Sequence, residues 1–120
     1  MKLCMIGTGY VGLVSGTCFA DIGNYVYCVD KDVSKINKLN SGISPIFEPG
    51  LDELIKKNYK AKRLYFTSDL KKAISVSDII FICVGTPNIK GSLQVDLSFV
   101  LKCTKEILSI AKKKIIVTKS

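Results

Sequence analysis

Three glycines stand in the order Gly7-x-Gly9-x-x-Gly12, between an apolar run, Leu3 to Ile6, and the start of a helix-period pattern. That spacing suits the cradling of a pyrophosphate. Gly7 permits a tight turn, Gly9 carries no Cβ to hold a phosphate off the backbone, and Gly12 lets the following helix pack closely. The helix's first N–H groups and its positive dipole end then face the anion. Asp30 closes the next apolar run, about 20 residues beyond the glycines. A carboxylate there accepts from both hydroxyls of an adenine ribose and repels a 2′-phosphate, which favours NAD over NADP. A lone glycine fingerprint is weak. The strand before it, the helix after it and the acid at the end of the second strand supply the context it needs.

Further candidates surround this pair. Lys31 follows Asp30, and consecutive side chains at a strand end are expected to point apart. Lys35 comes about one helical turn later and either reaches back to the adenosine end or is solvated. Gly85-Thr86-Pro87 ends the most apolar run of the chain. There, Gly85 offers close backbone approach, Thr86 a hydroxyl and Pro87 a stiff turn against the middle of a cofactor. The same three residues also fit an ordinary strand-ending turn. Glu48, between two prolines, fits either a functional role or the electrostatics of a helix start.

Other chemistries are poorly served. The chain has no histidine, so a histidine base or a Ser-His-Asp triad within it is excluded. Its five cysteines, Cys4, Cys18, Cys28, Cys83 and Cys103, form no C-x-x-C and sit in apolar patterns. They read as reduced core thiols of a cytoplasmic protein, and no metal site is expected. The net charge of +8 comes from scattered lysines on helix faces and ends, without a contiguous patch, so no nucleic-acid partner is expected. No run approaches the roughly 20 apolar residues of a membrane helix. The N-terminus lacks the layout of a signal peptide, so no membrane association is expected.

These residues need a scaffold, and the hydrophobic pattern supplies one. Residues 2–6 read as a buried strand. A helix follows from about Tyr10 to Ile22, with an apolar stripe at Val11, Val14, Cys18 and Ile22. Beside that stripe, Gly12, Gly16 and Ala20 form a small-residue strip suited to lying close to a sheet. Tyr25 to Val29 is the second strand, and Asp32 caps a short helix ending near Gly42. Pro49 opens a helix from Leu51 to about Asn58, and Leu64-Tyr65-Phe66 forms a third strand. Thr67 or Ser68 caps a helix through Ile74, and Ile79 to Val84 forms the central strand. A polar loop, a helix from Asp96 to about Ala111 carrying Leu97, Val100, Leu101 and Leu108, and a strand Ile115–Val117 complete the pattern.

The alternation predicts one α/β domain over residues 1–120: a Rossmann-type doubly wound parallel sheet of order 3-2-1-4-5. In that order the first and fourth strands are neighbours, so Gly7–Gly12 and Gly85–Pro87 open into one crevice. The sheet is expected to stop before a sixth strand and leave an unpaired edge, from which marginal stability or self-association is expected.

Several stretches carry a more specific signal. They are Ile6–Val14, Val29-Asp30-Lys31-Asp32, Lys35-Ile36, Pro45–Leu51, Ser77–Ile82 with Val84–Pro87, Gly91 with Asp96-Leu97, and Val117–Ser120. In these, at these spacings, the chain resembles the N-terminal part of the UDP-glucose/GDP-mannose dehydrogenase family. Asn24 departs from that pattern, where a histidine is expected after Gly23. The resemblance implies that Gly7, Thr8, Gly9, Tyr10, Val11, Gly12, Asp30, Lys35 and Thr86 contact NAD, and that Ser120 begins the next cofactor loop. It also implies oxidation of a nucleotide sugar, UDP-glucose first among them, from a C6 alcohol to a carboxylate. Two NAD are reduced, through a thiohemiacetal and a thioester on a cysteine. That cysteine, its lysine and asparagine partners, the sugar site and the dimer-forming element are expected beyond these residues. The chain alone is therefore expected to hold no catalytic residue and to be inactive, with a homodimer formed by the full-length parent. The alternative is a non-catalytic module that binds a dinucleotide or a partner.

Overall fold

The computed structural model describes residues 1–85, 91, 97–110 and 114–119. Among the described residues five strands and five helices follow in the order β1 (Lys2–Ile6), α1 (Tyr10–Asp21), β2 (Tyr25–Val29), α2 (Val33–Asn40), α3 (Leu51–Lys60), β3 (Leu64–Thr67), α4 (Leu70–Val76), β4 (Ile79–Ile82), α5 (Ser98–Ile110) and β5 (Ile115–Thr118), two helices joining β2 to β3. The strands form one parallel sheet of order β3-β2-β1-β4-β5, as the alternation predicts. β1 lies at its centre, with Leu3 opposite Val26 of β2 and Ile79 of β4. β5 pairs with β4 alone among the described residues.

The two-residue side-chain period divides the core. Leu3 and Met5 face one layer, where they meet Leu13 and Ala20 of α1, Ile36 and Leu39 of α2, and Leu51 and Ile55 of α3. Cys4 and Ile6 face the other, against Ala73 and Ile74 of α4 and Cys103 and Ile107 of α5. A strand buried on both faces must be apolar throughout, and Leu3 to Ile6 are all buried.

Helix α1 presents a different face to the sheet from the one its hydrophobicity suggests. Gly12, Leu13, Gly16, Thr17 and Ala20 are buried, whereas Cys18 is exposed and Ile22 is 76% exposed. Val11 and Val14 are half-buried at the margin of the first core. The cause is steric. A Cβ at Gly16 would stand 3.0 Å from Met5 Cγ and 3.1 Å from Cys28 Sγ, so only small residues allow this approach. Thr17 is accommodated because its hydroxyl donates to the Leu13 carbonyl at 2.7 Å. The expectation of five core thiols is therefore corrected at Cys18; the other four cysteines are buried.

Other boundaries shift. α4 is capped by Asp69, whose carboxylate accepts from the Lys72 amide at 3.1 Å, rather than by Thr67 or Ser68. Thr67 still belongs to β3 and supports the cap by accepting from the Asp69 amide. On α5, Cys103 and Ile107 turn to the core, while Leu101 and Leu108 are exposed, as is Leu97 just before the helix. Ala111 lies outside the described residues. None of the described helices is long and apolar enough to cross a membrane.

A polar clasp joins α1, α3 and the entrance to β3. Asn58 is fully buried. Its amide group donates to Asp21 Oδ1 at 3.1 Å and to the Leu54 carbonyl at 2.9 Å. Its oxygen accepts from Arg63 Nη2 at 2.9 Å, and Arg63 Nε also reaches the Ala20 carbonyl. Hydrogen bonds from Asn58 and Lys57 hold the Asp21 carboxyl below its ordinary range. Asn58→Leu keeps the volume but strips these partners. It is expected to cost about 2 kcal/mol, read as a lower urea midpoint at unchanged slope. An unchanged midpoint would make the clasp dispensable.

Candidate functional site

β1 stops at Gly7, whose φ of +104° lies in the region that favours glycine. Its amide donates to the Val29 carbonyl at 2.7 Å, which ties the loop to the end of β2. A Cβ on Gly7 would lie 2.8 Å from the Cys83 carbonyl oxygen. Gly12 is tighter: its Cβ would lie 1.9 Å from the Gly7 oxygen. Gly12 thus packs the first turn of α1 onto the glycine loop, beside Cys83 just past β4. Gly9 is the opposite case. It is the N-cap of α1, no side chain caps it, and an added Cβ would meet nothing within 4 Å. The backbone there is bare and open, and no acidic residue occupies the helix's first turn. That combination leaves a helix N-terminus available to an anion.

Asp30 lies one residue past β2. Its Oδ2 accepts from the Thr8 hydroxyl at 2.7 Å and from the Thr8 amide at 3.1 Å. Its Oδ1 accepts from the Asp32 amide at 3.0 Å. Lys35 Nζ stands 3.7 Å from Oδ2. Burial pushes the Asp30 carboxyl up, but the donors from Asp32 and Thr8, together with Lys35, outweigh it and hold the group below its ordinary value. A carboxylate has about four acceptor positions, so these three hydrogen bonds leave roughly one, on Oδ1.

Both features open into one crevice of about 740 Å³ at the carboxyl ends of the strands. Gly7, Thr8, Gly9, Asp30, Lys35 and Gly85 line it. Tyr10, Val11 and Gly12 do not: Tyr10 is 57% exposed and donates its hydroxyl to Glu48 Oε2 at 3.2 Å, Val11 packs at the core margin, and Gly12 is buried beneath the loop. Glu48 thereby anchors the proline loop to the start of α1. Thr86, Pro87 and Ser120 lie outside the described residues.

The crevice also holds residues that motif reading passes over. Lys31, expected to point away from Asp30, lines the same space. Strand alternation does not apply to it, because β2 has already ended at Val29. Lys102, Cys103 and Glu106 come from α5, and Ser68 and Leu70 from around the start of α4. Their only sequence signal is helical spacing, which does not say what they face. Cys83 and Cys103 line the crevice as well, but burial raises both thiols, Cys83 to about 11, so neither is a ready thiolate.

A parallel doubly wound sheet, a bare helix N-terminus after β1 and a carboxylate after β2 define a dinucleotide-binding domain of the Rossmann type. The pattern of the UDP-glucose/GDP-mannose dehydrogenase family, NAD binding domain, matches residues 1–120, and the chain belongs to that family as its NAD-binding domain. It is 54% identical over 121 residues to the UDP-glucose 6-dehydrogenase of Rhizobium meliloti (strain 1021), covering 100% of this chain and 28% of that protein. Against the UDP-glucose 6-dehydrogenase TuaD of Bacillus subtilis (strain 168) the identity is 56% over 106 residues, covering 88% of this chain and 23% of that one. Among solved structures, a ternary complex of GDP-mannose dehydrogenase from Pseudomonas aeruginosa superposes with a TM-score of 0.93 at 40% identity. That match covers 100% of this chain and 28% of the other. The chain thus spans between a quarter and a third of the length of the first and third of these relatives.

Proposed function

We propose that this domain serves as the NAD-binding part of a UDP-glucose 6-dehydrogenase, which oxidises UDP-glucose to UDP-glucuronate with two NAD as hydride acceptors. The observation that carries this reading is the joint opening of Gly9 and Asp30 into one crevice. Gly7–Gly12 and the N-terminus of α1 hold the pyrophosphate. The free acceptor position on Asp30 Oδ1 takes one ribose hydroxyl, and the Lys35 ammonium stands beside it for the other. Gly85, with Thr86 and Pro87, approaches the middle of the cofactor, and Ser120 begins the next contacting loop. The whole parent enzyme is a cytoplasmic homodimer on this reading. The chain by itself binds without turnover, since its crevice thiols are buried and protonated and its exposed Cys18 lies outside the crevice.

Calorimetric titration of the 120-residue chain with NAD and with NADP tests the cofactor role. Saturable NAD binding, at least tenfold tighter than NADP, is the expected result. Equal binding of the two, or binding of neither, would overturn the assignment of Asp30 and of the cradle.

A further inference from the structure

We propose that Thr8 is a positioning residue of the cofactor site, locking the Asp30 carboxylate to the glycine loop so that Oδ2 is consumed and Oδ1 is left for the ribose. The inference rests on the NAD reading above and assigns Thr8 a part other than direct contact. Thr8 borders the crevice but has no exposed surface, so its hydroxyl is turned inward to Asp30 rather than outward to the cofactor. A buried hydroxyl needs a partner, and Asp30 Oδ2, at 2.7 Å and 22 residues away in sequence, is the one it has. The Thr8 amide reaches the same oxygen, so one residue supplies two donors to one carboxylate oxygen.

The consequence is geometric. Gly7 already holds the end of β2 through Val29, and Thr8 adds the side chain just beyond it. The loop that faces the pyrophosphate and the acid that faces the ribose therefore become one rigid piece. A site held in its binding geometry loses less entropy on binding. The surroundings supply a reason for the lock. Lys35 of α2, Lys31 beyond β2, and Lys102 and Glu106 of α5 all line the crevice. A freed Asp30 would be drawn toward these lysines and away from the ribose. Thr8 opposes that pull with neutral donors.

Thr8→Val removes the hydroxyl at nearly constant shape, and Thr8→Ser restores it. The first readout needs no cofactor: the carbon-detected NMR titration of the Asp30 carboxyl. It is expected to move to higher pH in Thr8→Val and to return in Thr8→Ser. The second is calorimetry, with NAD bound about tenfold more weakly by Thr8→Val, a narrowed NAD over NADP preference, and near-native binding by Thr8→Ser. A folded Thr8→Val chain with an unmoved Asp30 titration and an NAD affinity within twofold of native would overturn the proposal. If the native chain bound no NAD while the Asp30 titration still moved, the cofactor reading would fall and the lock would stand. Should Thr8→Val not fold, the native protein decides. The Thr8 amide proton is expected to titrate with the Asp30 midpoint, and a flat amide shift would refute the lock.

Discussion

Gly12→Ala is expected to abolish NAD binding and to destabilise the domain by about 3 kcal/mol or more, at the upper end of overpacking costs. Alanine ordinarily favours a helix over glycine by about 1 kcal/mol, so helix propensity alone predicts the opposite sign. Sterics decide. The new methyl would lie 1.9 Å from the Gly7 carbonyl oxygen, a backbone atom with no rotamer through which to escape. Relief requires α1 to lift off the glycine loop, which carries the phosphate-facing amides with it. Two companion variants isolate the cause. At Gly9 an added Cβ meets nothing and φ is −75°, so Gly9→Ala should fold with near-native stability. It should nonetheless weaken NAD at least tenfold, because the methyl stands where the pyrophosphate approaches. At Gly16 the neighbours are side-chain atoms, Met5 Cγ at 3.0 Å and Cys28 Sγ at 3.1 Å, and need yield only a few tenths of an ångström, so Gly16→Ala should cost less than Gly12→Ala. Urea denaturation and calorimetry on the three variants give the test. A Gly12→Ala protein as stable as the native chain would remove the close packing from the account.

The contrast among these glycines also shows where sequence reading succeeds. The strand order was legible because the strand–helix alternation with right-handed crossovers has 3-2-1-4-5 as its usual arrangement, and the apolar runs at Leu3–Ile6 and Ile79–Ile82 suit its centre. The glycine spacing and Asp30 were legible because each answers to a chemical need at a known place in the strand–helix alternation. The face of α1 was legible in its small residues, since the Gly12, Gly16 and Ala20 strip does lie buried against the sheet, but its apolar stripe was misread for a physical reason. Hydrophobic periodicity measures affinity for a core, not the distance at which a helix can lie, and closeness selected Gly12 and Gly16 over the greasier Val14, Cys18 and Ile22. The α5 side of the crevice was beyond reach. Lys102 and Glu106 carry no motif, and only the folded sheet brings them opposite Asp30. The Thr8–Asp30 bond was hidden for a similar reason: both residues were candidates on sequence, but nothing in their spacing says that one bonds the other.

Asp30→Asn is expected to weaken NAD by about 10- to 100-fold, the range for losing a hydrogen bond to a charged acceptor of about 1.5–3 kcal/mol. The NAD over NADP preference should shrink as well, since the repelling charge is gone while Lys31, Lys35 and Lys102 remain around the crevice. The side chain keeps its shape but not its pattern. All three donors, two from Thr8 and one from Asp32, point at carboxylate oxygens, so an amide must turn its NH₂ toward at least one of them. A loss of stability of about 1–2 kcal/mol at neutral pH follows. The sign with pH is fixed by the direction of the shift. The folded carboxyl sits below its ordinary value of 3.8, so its contribution is complete above that value and is lost as pH falls through the folded midpoint. Native and Asp30→Asn proteins should therefore differ by a constant amount between about pH 5 and 8 and converge below about pH 4. NAD affinity of the native chain should be flat across the same upper range. A stability gap that instead widened in acid, or an NAD affinity that changed between about pH 6 and 8, would place the controlling charge on another group.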